Sequence, residues 1–154
     1  METEAPELAA RARALLDAHK HKTLATLRKD GSPRISGTEA EVVDGDLQWG
    51  AMWKSVKALD LRRDPRFALH SGSDDPPDWS GDVKVGGRAE ELDDDDARRA
   101  LVAAQGNDGE GSPGEFHLFR AEIEEVVVTR LNDARDKLVI ELWRPGEGVK
   151  TKER

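Results

Sequence analysis

The chain has 154 residues, 36% of them charged, and a formal net charge of -8. This length is typical of one domain, and the acidic balance argues against a general nucleic-acid-binding protein, which needs clustered Lys and Arg. Disulfides, thiolate nucleophiles and cysteine-based metal sites are excluded because there is no cysteine. No apolar run approaches the ~20 residues that cross a bilayer, and the polar, acidic start does not look like a secretory signal. We therefore expect a single cytoplasmic domain over residues 1–154.

The N-terminal segment 1–20 is predicted to form a helix over residues 5–20. Its apolar residues Leu8, Ala12, Leu15 and Leu16 recur at i, i+4, i+7 and i+8, which places them on one helical face.

The pattern then changes to that of short strands, over residues 23–27, 34–43 and 47–51. The turn dipeptides Asp30-Gly31 and Asp44-Gly45 separate them. Three strands joined by two tight turns predict an antiparallel meander.

A short second helix is expected after the meander. Ser55 can cap it, Val56, Leu59 and Leu61 are expected to face inward, and the helix should end at Asp64-Pro65. Strands are predicted over 67–70 and 82–91, with a loop over 71–81 between them. The pair Gly86-Gly87 indicates a bulge or a close backbone approach.

The last third of the chain begins with four acidic residues, 93–96, that suit the start of a third helix. Gly106 fits its C-terminal cap, and residues 106–114 form a Gly-rich loop by composition. Further strands are predicted over 116–119, 123–130 and 138–143, and residues 145–154 are expected to form a flexible tail. Seven or eight short strands with three helices indicate a mainly β chain, either a barrel or a sandwich.

Familiar catalytic groupings are missing from the sequence. The histidines show no metal-ligand spacing and are expected at the surface or half-buried; they are His19, His21, His70 and His117. No serine lies in a nucleophile elbow, and no glycine-rich phosphate loop follows a strand. The sequence therefore nominates no metal site and no catalytic residue.

One segment, residues 49–57, indicates an anion site. A strand ends there and a helix begins at Ser55, and a helix start offers free N–H groups and the positive end of the dipole. Lys54 and Lys57 bracket Ser55, while Arg34 and Ser36 lie on the neighbouring strand of the meander. These residues predict a phosphate cradle; the alternative is an ordinary capped helix with solvated lysines.

Several segments resemble, in order, the pyridoxamine 5'-phosphate oxidase-like family of FMN-binding split barrels over roughly residues 20–146. They are TLATLRKDGSPRIS (23–36), DGDL (44–47), SVKALDLRRDPRFAL (55–69), VKVGGRAE (83–90) and LWRPG (142–146). The resemblance implies a split β-barrel and a homodimer that binds two flavin-type cofactors at its interface. The cofactor-binding residues it implies are Arg34, Ser36, Ala51, Met52, Trp53, Lys54, Ser55 and Lys57.

The resemblance further implies a flavin-dependent oxidoreductase that uses FMN to transfer hydride to or from a small molecule. The alternatives are the deazaflavin coenzyme as cofactor, for whose charged tail Lys20, Lys22 and Arg28 could supply a groove, or a non-catalytic flavin- or haem-binding protein. The chain departs from the oxidase that makes pyridoxal phosphate, because Glu39 and Glu41 occupy a stretch that is basic there and the C-terminal substrate-binding pattern is missing. The family name is therefore not a prediction of the reaction.

Assembly is predicted from the tryptophans. Trp49, Trp53 and Trp79 are costly to expose on so polar a chain. We expect them at the dimer interface and around the cofactor ring; the alternative is core packing within one monomer.

Overall fold

The computed structural model describes residues 1–106 and 115–154 of the chain. Its elements, in chain order, are α1 (Pro6–Asp17), β1 (His21–Leu27), β2 (Pro33–Val43), β3 (Asp46–Met52), α2 (Val56–Arg63), β4 (Arg66–His70), β5 (Asp82–Leu92), α3 (Asp95–Ala104), β6 (Phe116–Leu131), β7 (Leu138–Arg144) and β8 (Gly148–Glu153). The prediction of a mainly β chain with three helices is confirmed.

Six of the strands close into a barrel. They run in the order β3-β2-β1-β4-β5-β6, and β3 also pairs with β6, so that the sheet meets itself. All pairings are antiparallel. The first part of β6 pairs with β3, whereas its last part, from Val126 to Leu131, pairs with β7. Because β6 leaves the barrel in this way, β7 and β8 extend the sheet beyond it, and the predicted split barrel is confirmed.

β6 is one strand where the sequence predicted two. Residues 120–122 contain neither Gly nor Pro, and they continue the ladder with β5 through pairs such as Ala121 with Ala89. The irregularity lies on the partner strand, where the register shifts between Gly86 and Gly87. A Cβ at Gly87 would stand 2.0 Å from the carbonyl oxygen of Glu122. The predicted bulge is therefore confirmed, and its glycine is required by the close approach of two backbones.

The expected flexible tail, residues 145–154, instead contains β8. The strand pairs with β7, and the ladder runs from the pair Arg144–Gly148 to the pair Val139–Glu153. Its side chains are mostly exposed, so side-chain patterning gave little sign of it. Main-chain hydrogen bonds to β7 hold it, and these do not depend on apolar side chains.

The composition of the core differs from the prediction at Trp49 and in α2. Trp49 is fully buried inside the barrel, with its ring centroid 5.0 Å from that of Phe67, so it does not fill an interface. In α2 the buried apolar residues are Ala58 and Leu61. Val56 and Leu59 are about half exposed, contrary to the prediction that they face inward.

The third helix matches its prediction. The Asp94 carboxylate accepts hydrogen bonds from the N–H groups of Asp96 and Ala97 at 2.9 and 3.0 Å, and Gly106 has a φ of 74° just after the helix end. Most of the predicted Gly-rich loop, residues 107–114, lies outside the described residues. Across the described ranges, every helix is too short or too polar to pass through a bilayer.

Candidate functional site

The turn that joins β3 to α2 has an unusual backbone. Lys54 has a φ of 57°, in the left-handed region that non-glycine residues seldom adopt. The N–H of Ser55 donates to the Met52 carbonyl oxygen at 2.9 Å. Ser55 occupies the N-cap position of α2 as predicted, but its side chain makes no capping hydrogen bond. Its Oγ is buried and has no hydrogen-bond partner among the described residues. The turn therefore presents a helix start beside an unsatisfied hydroxyl.

A cavity of about 390 Å³ opens between β2, β3 and α3. Three of the predicted site residues line it, namely Ala51, Met52 and Lys57. Thr38 also lines it, and its Oγ1 is a second buried oxygen without a partner among the described residues. The cavity is thus lined by one lysine, one residue with an unsatisfied hydroxyl, and Glu39, whose carboxylate is paired with Lys20.

Lys57 is half-buried at the edge of this cavity. Its Nζ donates to the Gly37 carbonyl oxygen at 2.8 Å. No carboxylate of the described residues lies within ion-pair distance of it, and burial lowers the pKa of its ammonium. A desolvated cation without a counter-charge is unfavourable, so the position suits an anionic ligand.

Arg34 and Ser36 do not line this cavity. On β2 the cavity is lined by Gly37, Thr38 and Glu39, which lie further along the strand. The Nε of Arg34 donates to Oδ2 of the buried Asp60 at 2.6 Å. Asp60 also accepts from Thr26 Oγ1 at 3.0 Å and from Arg63 Nη2 at 2.9 Å. Burial acts to raise the pKa of Asp60, and these hydrogen bonds outweigh it, so that the pKa lies below its ordinary value.

Trp53 lines a different cavity, of about 340 Å³, together with Arg62, Glu91, Asp93 and Arg98. Its indole stacks on the imidazole of His117, with centroids 4.6 Å apart and planes 10° from parallel. The structure thus divides the predicted residues: Ala51, Met52 and Lys57 line the first cavity, Trp53 lines the second, and Arg34 joins the Asp60 cluster. Ser36, Lys54 and Ser55 line neither cavity.

His117 is the residue that the sequence interpretation missed. It is 1% exposed, so the expectation that the histidines are superficial is wrong at this position. Its Nε2 accepts from the Lys54 N–H at 3.0 Å, and its Nδ1 lies 2.6 Å from Glu91 Oε1. Arg62 donates twice to Glu91, at 2.6 and 2.9 Å. The apolar segment 116–119 around His117 was the signal that could have indicated burial.

Five large apolar side chains of β2, β3, the turn and α2 are exposed, and we refer to them together as the apolar patch: Ile35, Met52, Trp53, Val56 and Leu59. Ile35 is 75% exposed and Met52 is 79% exposed. Val56 and Leu59 share one face of α2 because they are three residues apart. Exposed apolar surface of this kind is typical of an interaction site.

Of the cations considered for a tail-binding groove, two are engaged. Lys22 is 3% exposed, and its Nζ donates to the Lys20 carbonyl oxygen at 3.3 Å. The Nζ of Lys20 lies 3.6 Å from Glu39 Oε2. Lys22 is therefore not available to a charged tail, whereas Lys20 stays half exposed in a surface ion pair.

The chain is similar to several solved structures that share its fold. A conserved hypothetical protein of Mycobacterium tuberculosis, Rv2991, is 25% identical, with 76% of this chain and 81% of that chain covered and a TM-score of 0.65. A putative pyridoxamine 5'-phosphate oxidase of Listeria innocua is 22% identical, with coverages of 79% and 98% and a TM-score of 0.66. An F-420 reductase is 18% identical, with coverages of 74% and 94% and a TM-score of 0.61.

A comparison with curated proteins gives no match. A comparison with family models matches residues 8–130 to Pyridoxamine 5'-phosphate oxidase. That match spans most of the chain, including the barrel, the turn before α2 and the first cavity. On this evidence the chain belongs to the pyridoxamine 5'-phosphate oxidase family.

Proposed function

We propose that the chain is a flavin-dependent oxidoreductase that binds FMN in a cytoplasmic homodimer, with the phosphate held by the turn and first residues of α2. The observation that carries the proposal is Lys57, a half-buried ammonium without a carboxylate partner among the described residues. A phosphate would supply the missing counter-charge.

The other groups at this helix start fit a phosphate as well. The first hydrogen bond within α2 runs from the Leu59 N–H to the Ser55 carbonyl at 3.1 Å, so the preceding N–H groups of the helix are free by position. The buried Oγ of Ser55 can donate to a phosphate oxygen. Free N–H groups, a hydroxyl and an ammonium together make charge-assisted hydrogen bonds, which are stronger than neutral ones.

The apolar patch suits the remainder of the ligand and a second protomer. Met52 and Trp53 stand beside the turn with much of their side chains exposed, and they would flank the flavin ring. Ile35, Val56 and Leu59 would be covered by the second copy, as an isologous interface requires the same patch on both protomers. The flavin supplies hydride transfer when bound; the chain's residues bind and orient it. The substrate in this proposal is an unidentified small molecule.

Three further residues stay predicted cofactor contacts, namely Arg34, Ser36 and Lys54. The hydrogen bonding of Arg34 to a ligand is limited by its ion pair. One of its N–H groups is committed to Asp60, and its other guanidinium N–H groups are the ones that could reach a ligand. The deazaflavin coenzyme is the alternative cofactor, and the burial of Lys22, one of the cations considered for its charged tail, argues against it. A non-catalytic flavin carrier or a haem-binding protein remains a further outcome of the test.

The test of the cofactor is a set of titrations of the purified protein with FMN, riboflavin, the deazaflavin coenzyme and haem. We expect FMN to bind at micromolar concentration or tighter. Riboflavin should bind at least about tenfold more weakly, because it lacks the phosphate and its charge-assisted hydrogen bonds. Tighter binding of the deazaflavin coenzyme would change the cofactor, a Soret band would favour haem, and binding of none of them would overturn the proposal. Turnover with a panel of reductants and acceptors separates an enzyme from a carrier.

The test of the dimer is sedimentation of the wild type and of Leu59→Glu. We expect a wild-type species of twice the 17.0 kDa chain mass and a monomer for the variant, because a carboxylate would be buried in the interface. Leu138→Glu is the matched control, since Leu138 is also exposed but lies on β7, outside the patch. A monomeric wild type with FMN bound would contradict the interface.

A further inference from the structure

We propose that His117, in its neutral Nδ1–H tautomer, is a positioning residue that holds the turn between β3 and α2 in its phosphate-accepting conformation. The proposal rests on the proposed function of that turn. It assigns a role to a buried histidine that would itself touch neither the phosphate nor the flavin ring.

The neighbours of the imidazole decide its tautomer. A backbone N–H can only donate, so the Nε2 that faces the Lys54 N–H at 3.0 Å must be unprotonated. On the other side, Nδ1 lies 2.6 Å from Glu91 Oε1. Arg62 is the main cause of the lowered pKa of Glu91, with a further hydrogen bond from His117. Glu91 is therefore a carboxylate and can only accept, so Nδ1 carries the hydrogen.

The hydrogen bond that His117 accepts acts on a strained residue. Lys54 has a φ of 57°, a left-handed conformation that is unfavourable for a residue with a Cβ. The bond from its N–H ties the turn to β6, 63 residues away in the chain. The stacked indole of Trp53 covers one face of the imidazole. The turn therefore keeps the backbone that leads into α2 because His117 accepts from it.

Protonation of His117 would reverse this support. A hydrogen on Nε2 would set two N–H groups against each other at a donor-to-donor distance of 3.0 Å. The charged and titratable groups around the ring are Glu91 from β5, Arg62 from α2 behind it, and Lys54 from the turn. An unprotonated Nε2 is therefore required for the turn to keep its hydrogen bond to β6.

Two amide variants separate the two hydrogen bonds of the ring. In His117→Gln the side-chain oxygen can reach the position of Nε2 and accept the hydrogen bond from the Lys54 N–H. In His117→Asn the shorter amide reaches only the position of Nδ1, near Glu91. We expect His117→Gln to keep the wild-type preference for FMN over riboflavin, and His117→Asn to reduce that preference about tenfold, which is the effect of losing one hydrogen bond. His70→Gln, at a half-buried histidine of β4 outside the site, is the control.

Rescue by the amide that replaces the acceptor is a readout that a merely structural role would not give. Equal preference for FMN over riboflavin in the Gln and Asn variants would overturn the proposal.

Measurements without a flavin keep this inference separate from the proposed function. Nitrogen-15 NMR of the imidazole in the free wild-type protein should show a protonated Nδ1 and a bare Nε2. The Lys54 amide should exchange slowly with solvent in the wild type and in His117→Gln, and faster in His117→Asn. An Nε2–H tautomer, or an unprotected Lys54 amide in the wild type, would refute the role even if both variants failed to fold. Failure of the wild type to bind FMN would instead refute the proposed function alone.

Discussion

Two basic positions on the neighbouring elements β2 and α2 have opposite surroundings. Arg34 reaches Asp60, a carboxylate that is 2% exposed and also receives Thr26 and Arg63. Lys57 reaches only the carbonyl oxygen of Gly37 among the described residues. The first cation is neutralised within the chain and ties α2 to the sheet, whereas the second keeps its charge available.

The comparison teaches how one short helix serves two purposes. Ala58, Asp60 and Leu61 face the barrel and anchor α2. Val56 and Leu59 flank Lys57 in the helix; their side chains are about half exposed and do not contribute to the core. The anchored face fixes where the helix starts, and the exposed face leaves that start accessible to a ligand and a second protomer.

The largest expected effect is a loss of folding stability from a substitution on the anchored face of α2. Asp60→Ala leaves two guanidinium groups without their carboxylate, and breaking a buried ion pair from one side costs about 3–5 kcal/mol. We expect about 3 kcal/mol, the low end of that range, since both arginines keep some contact with water. Urea denaturation measures the loss.

The matched control for this variant is Asp64→Ala, which removes a carboxylate paired with Arg66 at the end of the same helix. The Asp64 pair lies at the surface, so a clearly smaller loss is expected. Similar losses for the two variants would mean that the Asp60 cluster is no stronger than a surface pair. The pKa of Asp60 is lowered on folding, so its contribution is present at neutral pH and should disappear as the pH falls through the folded-state pKa.

The next largest effect is on ligand affinity, from a change at the half-buried cation Lys57. Lys57→Ala should weaken FMN by about 1.5–3 kcal/mol, the range for hydrogen bonds to charged groups, which is roughly tenfold to a hundredfold. Riboflavin should lose far less because it has no phosphate. Paired titrations of both ligands with wild type and variant measure the difference. Equal losses for both ligands would place the phosphate elsewhere.

The smallest effect is on the stability of the free protein. Lys57→Met keeps the length of the side chain and removes a desolvated charge, so we expect the free energy of unfolding at neutral pH to stay the same or rise slightly. Burial lowers the pKa of Lys57 in the folded state, so the unfolded chain binds more protons and wild-type stability should rise with pH towards the ordinary pKa of lysine.

Denaturation of wild type and Lys57→Met at several alkaline pH values checks this expectation. The wild type should gain on the variant as the pH rises. A strong destabilisation in Lys57→Met at neutral pH would show that Lys57 is a structural residue like Arg34, and the contrast between the two positions would fail.

Local sequence signals predicted most elements of the fold. Turn dipeptides, the Asp94 cap and the bulge at Gly87 depend on neighbours in the chain or on the intrinsic freedom of glycine, and all three are present. β8 was missed because backbone pairing with β7 holds it and its side chains are exposed. Trp49 was predicted at the dimer interface but lies in the core. Strand alternation tells which side chains share a face of β3, whereas only the closed barrel decides which face is inside.

The sequence by itself determined that this chain is mainly β and that cations gather where β3 meets α2, and its resemblance to the family indicated the split barrel. Periodicity, turn chemistry and ordered motifs carry that information locally. Only the tertiary structure decided which of those cations is neutralised and which is not, because Asp60 and Arg34 are 26 residues apart in sequence. It also placed His117 against Lys54 across 63 residues. Burial and long-range pairing set the charge state and hydrogen bonds of these groups, and both arise only when β2, β6 and α2 are brought together.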